Sequence, residues 1–268
     1  MKKFFLKILV FIIPIVLLAY AVDVYLSNQL KKSNTFAFKE YTTWNDVIDG
    51  KLNSEVFIYG SSRAWVQFDP FIIEDTLGLS TYNLGIDGHT FNMQYLRHKL
   101  ALKYNKKPKL IIHSVDANTL QNGNFFNSQQ VLPYMLWNSD FFEFTSNYKT
   151  YSYLDYKLPL VRFYGKTDAI ITALSMNADS EKNKPTRVKG YKGQESTWND
   201  DFDNAKKLMK TFEVKVDDQL YQMFDTYLEK CKANNIQVVF GYSPVYIEGQ
   251  EFIKNKQEIL DVFNKTIE

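Results

Sequence analysis

At 268 residues the chain has room for one sizeable α/β domain plus an anchor, or for two small domains. Its net charge of only +2 argues against a dedicated nucleic-acid binder, which should carry a concentrated basic face. The single cysteine, Cys231, excludes an intrachain disulfide framework and a cysteine-built zinc cluster, and the amphipathic helical pattern around it marks a packed thiol rather than a nucleophile. Nothing in the sequence calls for a metal or an organic cofactor.

Phe4 to Tyr25 is almost wholly apolar, broken only by Lys7 and Asp23, and about 20 helical residues suffice to cross the hydrocarbon layer. Residues 1–27 therefore read as an amino-terminal membrane anchor. Lys2, Lys3 and Lys7 favour a cytoplasmic amino terminus, although Lys31 and Lys32 dilute the asymmetry, so the remainder is expected on the extracytoplasmic side, periplasmic or at the cell surface. Ala19 and Ala21 also form an A-x-A-like site, so a cleaved signal peptide with a mature start at Val22 is the rival reading. Residues 28–51 read as a membrane-proximal linker with a short helix, Trp44 and Val47 being its packing points.

The remainder, 52–268, alternates strand and helix signals. Val56 to Tyr59 is a short apolar run stopped by Gly60, the pattern of a parallel strand buried on both faces. Asp69-Pro70 opens a helix that Gly78 closes. Thr81 to Leu84 is a second strand, and the glycine-rich loop Asn83 to Gly88 leads into a helix over Phe91 to Tyr104. Leu110 to Ile112 is a third strand. Asp217 opens an amphipathic helix through Leu220, Phe224, Tyr227 and Cys231; Ile236 to Tyr242 is a further strand, and a last helix runs from about Gln250 to Phe263. These alternations imply a parallel sheet with helices on both faces, a three-layer α/β/α flavodoxin-like architecture.

Between about residues 120 and 201 the pattern loosens into aromatic clusters, among them Phe125, Phe126, Tyr134, Trp137, Phe141, Phe142, Tyr151 and Tyr156. A stretch of this length reads as an inserted subdomain or lid. Membrane-surface packing or plain core are the alternatives. Ser180 to Ser196, rich in Lys, Asn and Gly, has the composition of a mobile segment.

Three successive strand ends carry small or polar residues: Gly60-Ser61-Ser62, Asn83 to Gly88, and Asp116-Ala117-Asn118. In open α/β sheets ligands bind beyond the carboxyl ends of the strands, so these loops are the candidate site. Serines at a strand-to-helix junction serve equally as caps or turn residues. On these motifs, covering Glu55 to Leu120, the chain resembles the SGNH (GDSL-like) hydrolase superfamily. The resemblance implies Ser62 as nucleophile, with Ser61 where aspartate is usual, and Gly88 and Asn118 as oxyanion-hole donors. Asn83 would open the second block. Gly60-Ser-Ser-Arg-Ala64 also looks like the first block of envelope-attached members that act on cell-surface glycans.

The superfamily's Asp-x-x-His does not occur between Ile236 and Glu268, so the expectation is a chain that stops before that block, or else a degenerate member. Of the three histidines, His89 beside Gly88 is the one placed to approach Ser62, or is simply a loop residue. His98 and His113 read as packing or surface positions. Arg63 is expected to pair with Asp69 or Asp87, to meet a substrate anion, or to sit on the surface at a helix start. Asp116 stands where the resemblance expects glycine. Together these imply a membrane-anchored serine esterase or O-acyltransferase acting on ester-linked acyl groups of an extracytoplasmic glycan or an acylated small molecule, or a catalytically silent glycan-binding or assembly scaffold with the same fold.

Overall fold

The computed structural model describes residues 2–88, 90–121, 126–178, 184–195, 197 and 199–265. Its strands are β1 (Val56–Tyr59), β2 (Thr81–Asn83), β3 (Leu110–Val115) and β4 (Gln237–Tyr242). In chain order the helices begin with α1 (Lys2–Leu30), α2 (Tyr41–Ile48), α3 (Ser62–Gln67), α4 (Pro70–Leu77) and α5 (Phe91–Tyr104). They continue with α6 (Ser139–Thr145), α7 (Tyr153–Lys157), α8 (Thr167–Ser175), α9 (Asp201–Leu208), α10 (Asp218–Ala233) and α11 (Lys256–Lys265). The chain divides into two compact units, residues 1–45 with 126–186, and 46–125 with 187–268.

The second unit is an α/β fold around a four-stranded, all-parallel sheet of order β2-β1-β3-β4. Because side chains alternate along a strand, register assigns them to faces. Phe57, Ile111 and Val238 lie in one row and Tyr59, His113 and Phe240 in the next, all on one face. That face meets the aromatic sides of α5, α10 and α11: Phe224 packs on Phe91 at 4.9 Å and on Phe240 at 5.6 Å between centroids, and Phe263 of α11 on Phe240 at 6.0 Å. On the other face Phe68, which follows α3, lies against Gly241. β1 is fully buried, which is why its sequence is continuously apolar, whereas Val239 on the outermost β4 is 46% exposed.

Local signals account for the helix limits. Asp69 Oδ1 accepts the Phe71 N–H at 2.8 Å and Pro70 occupies the first turn of α4, which Gly78 ends at φ 65°. Asp217 caps α10 through the Leu220 N–H at 2.9 Å. The last helix starts later than its pattern suggests. Asn255 accepts from the Val214 N–H at 2.9 Å and donates to the Val214 carbonyl at 2.8 Å, and the Phe212–Ile253 bridge lies beside it. A 3-10 helix over Ile247–Phe252, the bridge at Ile253 and a turn at residues 254 and 255 come first, so α11 begins at Lys256.

Gly60, at the end of β1, has φ +144°, and a Cβ there would lie 2.7 Å from the Ser114 carbonyl oxygen and 2.8 Å from Ala64 Cβ. Gly60→Ala should therefore lower the urea midpoint, the backbone conformation alone costing about 1–3 kcal/mol. An unchanged midpoint would contradict this account of the β1 end.

The first unit gathers the aromatic segment into a core with the chain that follows α1. Trp44 packs on Phe141 at 5.6 Å and Tyr134 stacks on Phe141 at 5.7 Å. The hydroxyls find partners as buried tyrosines require: Tyr41 donates to the Gln129 carbonyl at 2.6 Å, Tyr151 to that of Ser128 at 2.9 Å, and Tyr156 pairs with Thr145 Oγ1 at 2.7 Å. Much of the segment is thus core, while Trp137, Tyr153 and Tyr164 stay exposed. Residues 28–45, linker-like in sequence, carry the buried Leu30, Tyr41 and Trp44 of this unit.

α1 continues past the apolar stretch to Leu30, and within the first unit Asp23, Leu26, Ser27 and Leu30 are buried while Phe4 to Leu18 are exposed wherever described. It is the one helix among the described residues long and apolar enough to cross a membrane, with a mean hydropathy of 2.7 over its best window. Phe125, residues 179–183 and Ser196 lie outside the described residues.

Candidate functional site

The sheet order reverses between β1 and β3, one strand running outward to β2 and the other to β4, so the crevice for ligands in such a sheet opens beyond their carboxyl ends. The loops meet there through three direct contacts. Ser61 Oγ, at the N-cap of α3, donates to Asp116 Oδ2 at 2.9 Å. The Ile86 N–H donates to the Gly60 carbonyl at 3.0 Å. Arg63 Nη2 donates to the carbonyls of Ser243 and Pro244, each at 3.3 Å, and so draws the β4 end to the same edge.

These contacts place the sequence-derived candidates. Ser62 is the first residue of α3, half-buried, and no described residue hydrogen-bonds its hydroxyl. Its neighbour Ser61 is the capping serine. Gly88 stands at φ +68°, a left-handed conformation natural to glycine, two residues beyond Ile86 just as Ser62 is two beyond Gly60. Asn118 is exposed; its N–H donates to Asp116 Oδ1 at 2.9 Å, which ties it to the carboxylate that holds Ser61. Each of the three therefore lies within two residues of a bonded loop pair, a chain span of at most about 7 Å. His89 lies outside the described residues.

Asn83 is structural. Its amide donates to the Ala64 and Phe68 carbonyls at 2.8 Å each and accepts the Gly85 N–H at 2.9 Å, so both donors are spent on the backbone. Arg63 turns to the β4 loop rather than to Asp69 or Asp87, because the carbonyls of Ser243 and Pro244 are aimed at its guanidinium. Burial raises the pKa of Tyr242 at the same edge; Arg63 opposes that rise and Asp116 adds to it.

His98 and His113 stand away from this edge, inside the aromatic core. His113 Nδ1 faces the Tyr227 hydroxyl at 3.2 Å and its Nε2 faces Gln94 Oε1 at 3.1 Å. An amide oxygen only accepts, so Nε2 carries the proton and Nδ1 accepts from Tyr227. His98 Nδ1 pairs with the Tyr59 hydroxyl at 3.3 Å. Burial lowers both histidines to about 3, His113 and Lys230 adding to the effect on His98. Cys231 is buried beside His98, and burial pushes its thiol up to about 12, which leaves it inert at neutral pH.

Sequence marks Asp116 only as a departure from the expected glycine, and assigns Ser243-Pro244 and Arg97 no role at the site. Asp116 is the joint of the β1 and β3 loops, Ser243-Pro244 supplies the acceptors for Arg63, and Arg97, fully buried on α5, donates to the Leu84 and Gly85 carbonyls at 3.3 and 3.0 Å. The available signals were a polar residue directly after each strand and an arginine inside the apolar stripe of a helix.

Fold and edge together define a parallel α/β protein with a cluster of polar loops at the sheet's switch point. No family model, no curated protein and no solved structure matches the chain. Among the described residues no group of His, Cys, Asp and Glu could hold a metal ion.

Proposed function

We propose that this protein is an SGNH-like serine esterase or O-acyltransferase, anchored by α1 with the α/β unit on the extracytoplasmic side, acting on ester-linked acyl groups of a glycan. The observation that carries the reading is the convergence of the β1, β2 and β3 loops, through Ser61–Asp116 and Ile86–Gly60, beside Ser62, whose hydroxyl no described residue hydrogen-bonds. Ser62 Oγ attacks the acyl carbonyl, and the negative charge that develops on its oxygen is received by the N–H groups of Ser62 and Gly88 and the side-chain amide of Asn118. The sugar oxygen then leaves with the proton given up by Ser62, and water or a sugar hydroxyl takes the acyl group from the serine. His89 is the imidazole available to carry that proton, since His98 and His113 are sealed in the core.

A second reading, a catalytically silent scaffold of the same fold, is favoured by one fact: no described base is hydrogen-bonded to Ser62. A fluorophosphonate probe separates the two. The full chain should label, Ser62→Ala should not, and Asn118→Ala should label about 10²–10³-fold more slowly through loss of one oxyanion donor. Labelling that survives Ser62→Ala removes Ser62 from the mechanism. A wild-type chain that never labels supports the scaffold.

A further inference from the structure

The first unit carries a cavity of about 610 Å³ around the turn between α7 and α8, within the size range of small-ligand sites. Pro159, Leu160 and Val161 make part of its wall apolar, and Arg162, Lys166 and Tyr164 supply polar groups. Arg162 is 2% exposed. Its Nε donates to the Leu132 carbonyl at 2.8 Å and its Nη2 to Asp23 Oδ1 at 2.7 Å and Ser27 Oγ at 2.9 Å, but the buried Nη1 finds no acceptor among the described residues. A buried guanidinium N–H without an acceptor calls for an explanation. Lys166 Nζ lies 5.6 Å from the centroid of the Tyr151 ring. Asp155, the carboxylate on the rim, already accepts from the Ser152 N–H and hydroxyl at 2.7 and 2.8 Å. Leu160 is held at φ +65°, and its N–H donates to Asp23 Oδ2 at 2.8 Å; a non-glycine residue in that conformation is strained.

The depth of this cavity along α1 indicates what fills it. The described side chains from Phe4 to Val22 face outward, with only Ala19 half-buried, a stretch of about 28 Å at about 1.5 Å per residue. That length matches the hydrocarbon layer of about 30 Å. The next residue, Asp23, is the one that Arg162 grips. If α1 crosses a membrane, Arg162 therefore stands one step beyond the hydrocarbon, at the level of the phosphates. Tyr20, about 4.5 Å nearer the hydrocarbon along α1, stacks on Trp137 at 5.1 Å, and Trp137 is 58% exposed as interfacial aromatics are.

We propose that this cavity binds the phosphate group of a membrane phospholipid, Arg162 Nη1 and Lys166 Nζ donating to it while the walls at Pro159, Leu160 and Val161 receive the glycerol and upper acyl chain. The proposal rests on the reading of α1 as a membrane span. It is tested on the full chain in maltoside micelles by native mass spectrometry, with phosphatidylglycerol, a diacylglycerol of the same acyl chains, and inorganic phosphate as separate arms. Phosphatidylglycerol should be retained one per chain, diacylglycerol at least about tenfold more weakly, and inorganic phosphate should not displace the lipid. Lys166→Gln leaves the Arg162–Asp23 pair intact and should weaken phosphatidylglycerol about tenfold. Equal retention of the two lipids, displacement by an equal concentration of inorganic phosphate, or full binding by Lys166→Gln would each overturn the proposal. Alkaline extraction of membranes tests the span separately. A chain that stays with the membrane yet binds no phospholipid selectively sinks the site alone, whereas a chain released by alkali overturns the span and with it the proposal.

Discussion

Asp23→Ala should destabilise the first unit by about 3–5 kcal/mol, the cost of leaving a buried charge without its partner. Both side chains of the Asp23–Arg162 pair are 1% exposed, so water cannot replace the lost carboxylate. The same substitution orphans the Leu160 N–H and removes the contact that holds its left-handed turn. Unfolding of the full chain in detergent micelles, followed by limited proteolysis within residues 126–186, should show the loss. Replacing both partners together, Asp23→Leu with Arg162→Met, should recover the part due to the unpaired charge, because an apolar pair has no charge to desolvate, while the Leu160 N–H stays without its acceptor. If Asp23→Ala resists protease as well as the parent chain, the pair does not hold the unit together.

Acidification should weaken the second unit well before its carboxylates titrate. His98 and His113 are neutral in the core because burial disfavours the imidazolium, and their folded values of about 3 lie below the unfolded value of 6.5. The unfolded chain therefore binds protons first. The contribution is fully present above pH 6.5 and is lost as the pH falls toward 3. Each histidine contributes a slope of about 1.4 kcal/mol per pH unit inside that window. The interval from pH 6.5 to 4.5 isolates them, since ordinary carboxylates titrate near and below its lower end. Urea midpoints by circular dichroism at pH 7.5, 6 and 5 should fall steadily, and His113→Gln should flatten the dependence by about half whatever it does at pH 7.5. A midpoint indifferent to pH between 7.5 and 5 would mean that the two rings reach water or take up protons in place.

Much of the second unit was legible because its signals are local. Four apolar residues ended by Gly60 read as a strand, Asp69-Pro70 to Gly78 as a capped helix, and the spacing of Leu220, Phe224, Tyr227 and Cys231 as one buried helical face. The polar strand ends marked where a site should lie. Sequence could not say which serine would be tied down. Ser61 is anchored by a carboxylate 55 positions away and Arg63 by carbonyls 180 and 181 positions away, separations at which neighbouring residues carry no information about one another. Asn83, a candidate by motif, has its amide consumed by the backbone around α3, which only the folded chain reveals.

The first unit shows the same limit more sharply. A count of apolar residues identifies α1, but Asp23 looks like an interruption until Arg162, 139 positions later, is folded against it. From its residues alone the chain determined its strands, the limits of α4 and α5 and the start of α10, its apolar amino-terminal helix and the polar character of its strand ends, because each depends on dihedral preference, capping or periodicity over a few neighbours. Tertiary structure alone decided the sheet order, the partners of Ser61, Arg63 and Arg162, and the joining of the aromatic segment to the end of α1, because these are pairings between distant residues, selected by which buried polar groups can satisfy one another once the apolar surfaces have closed.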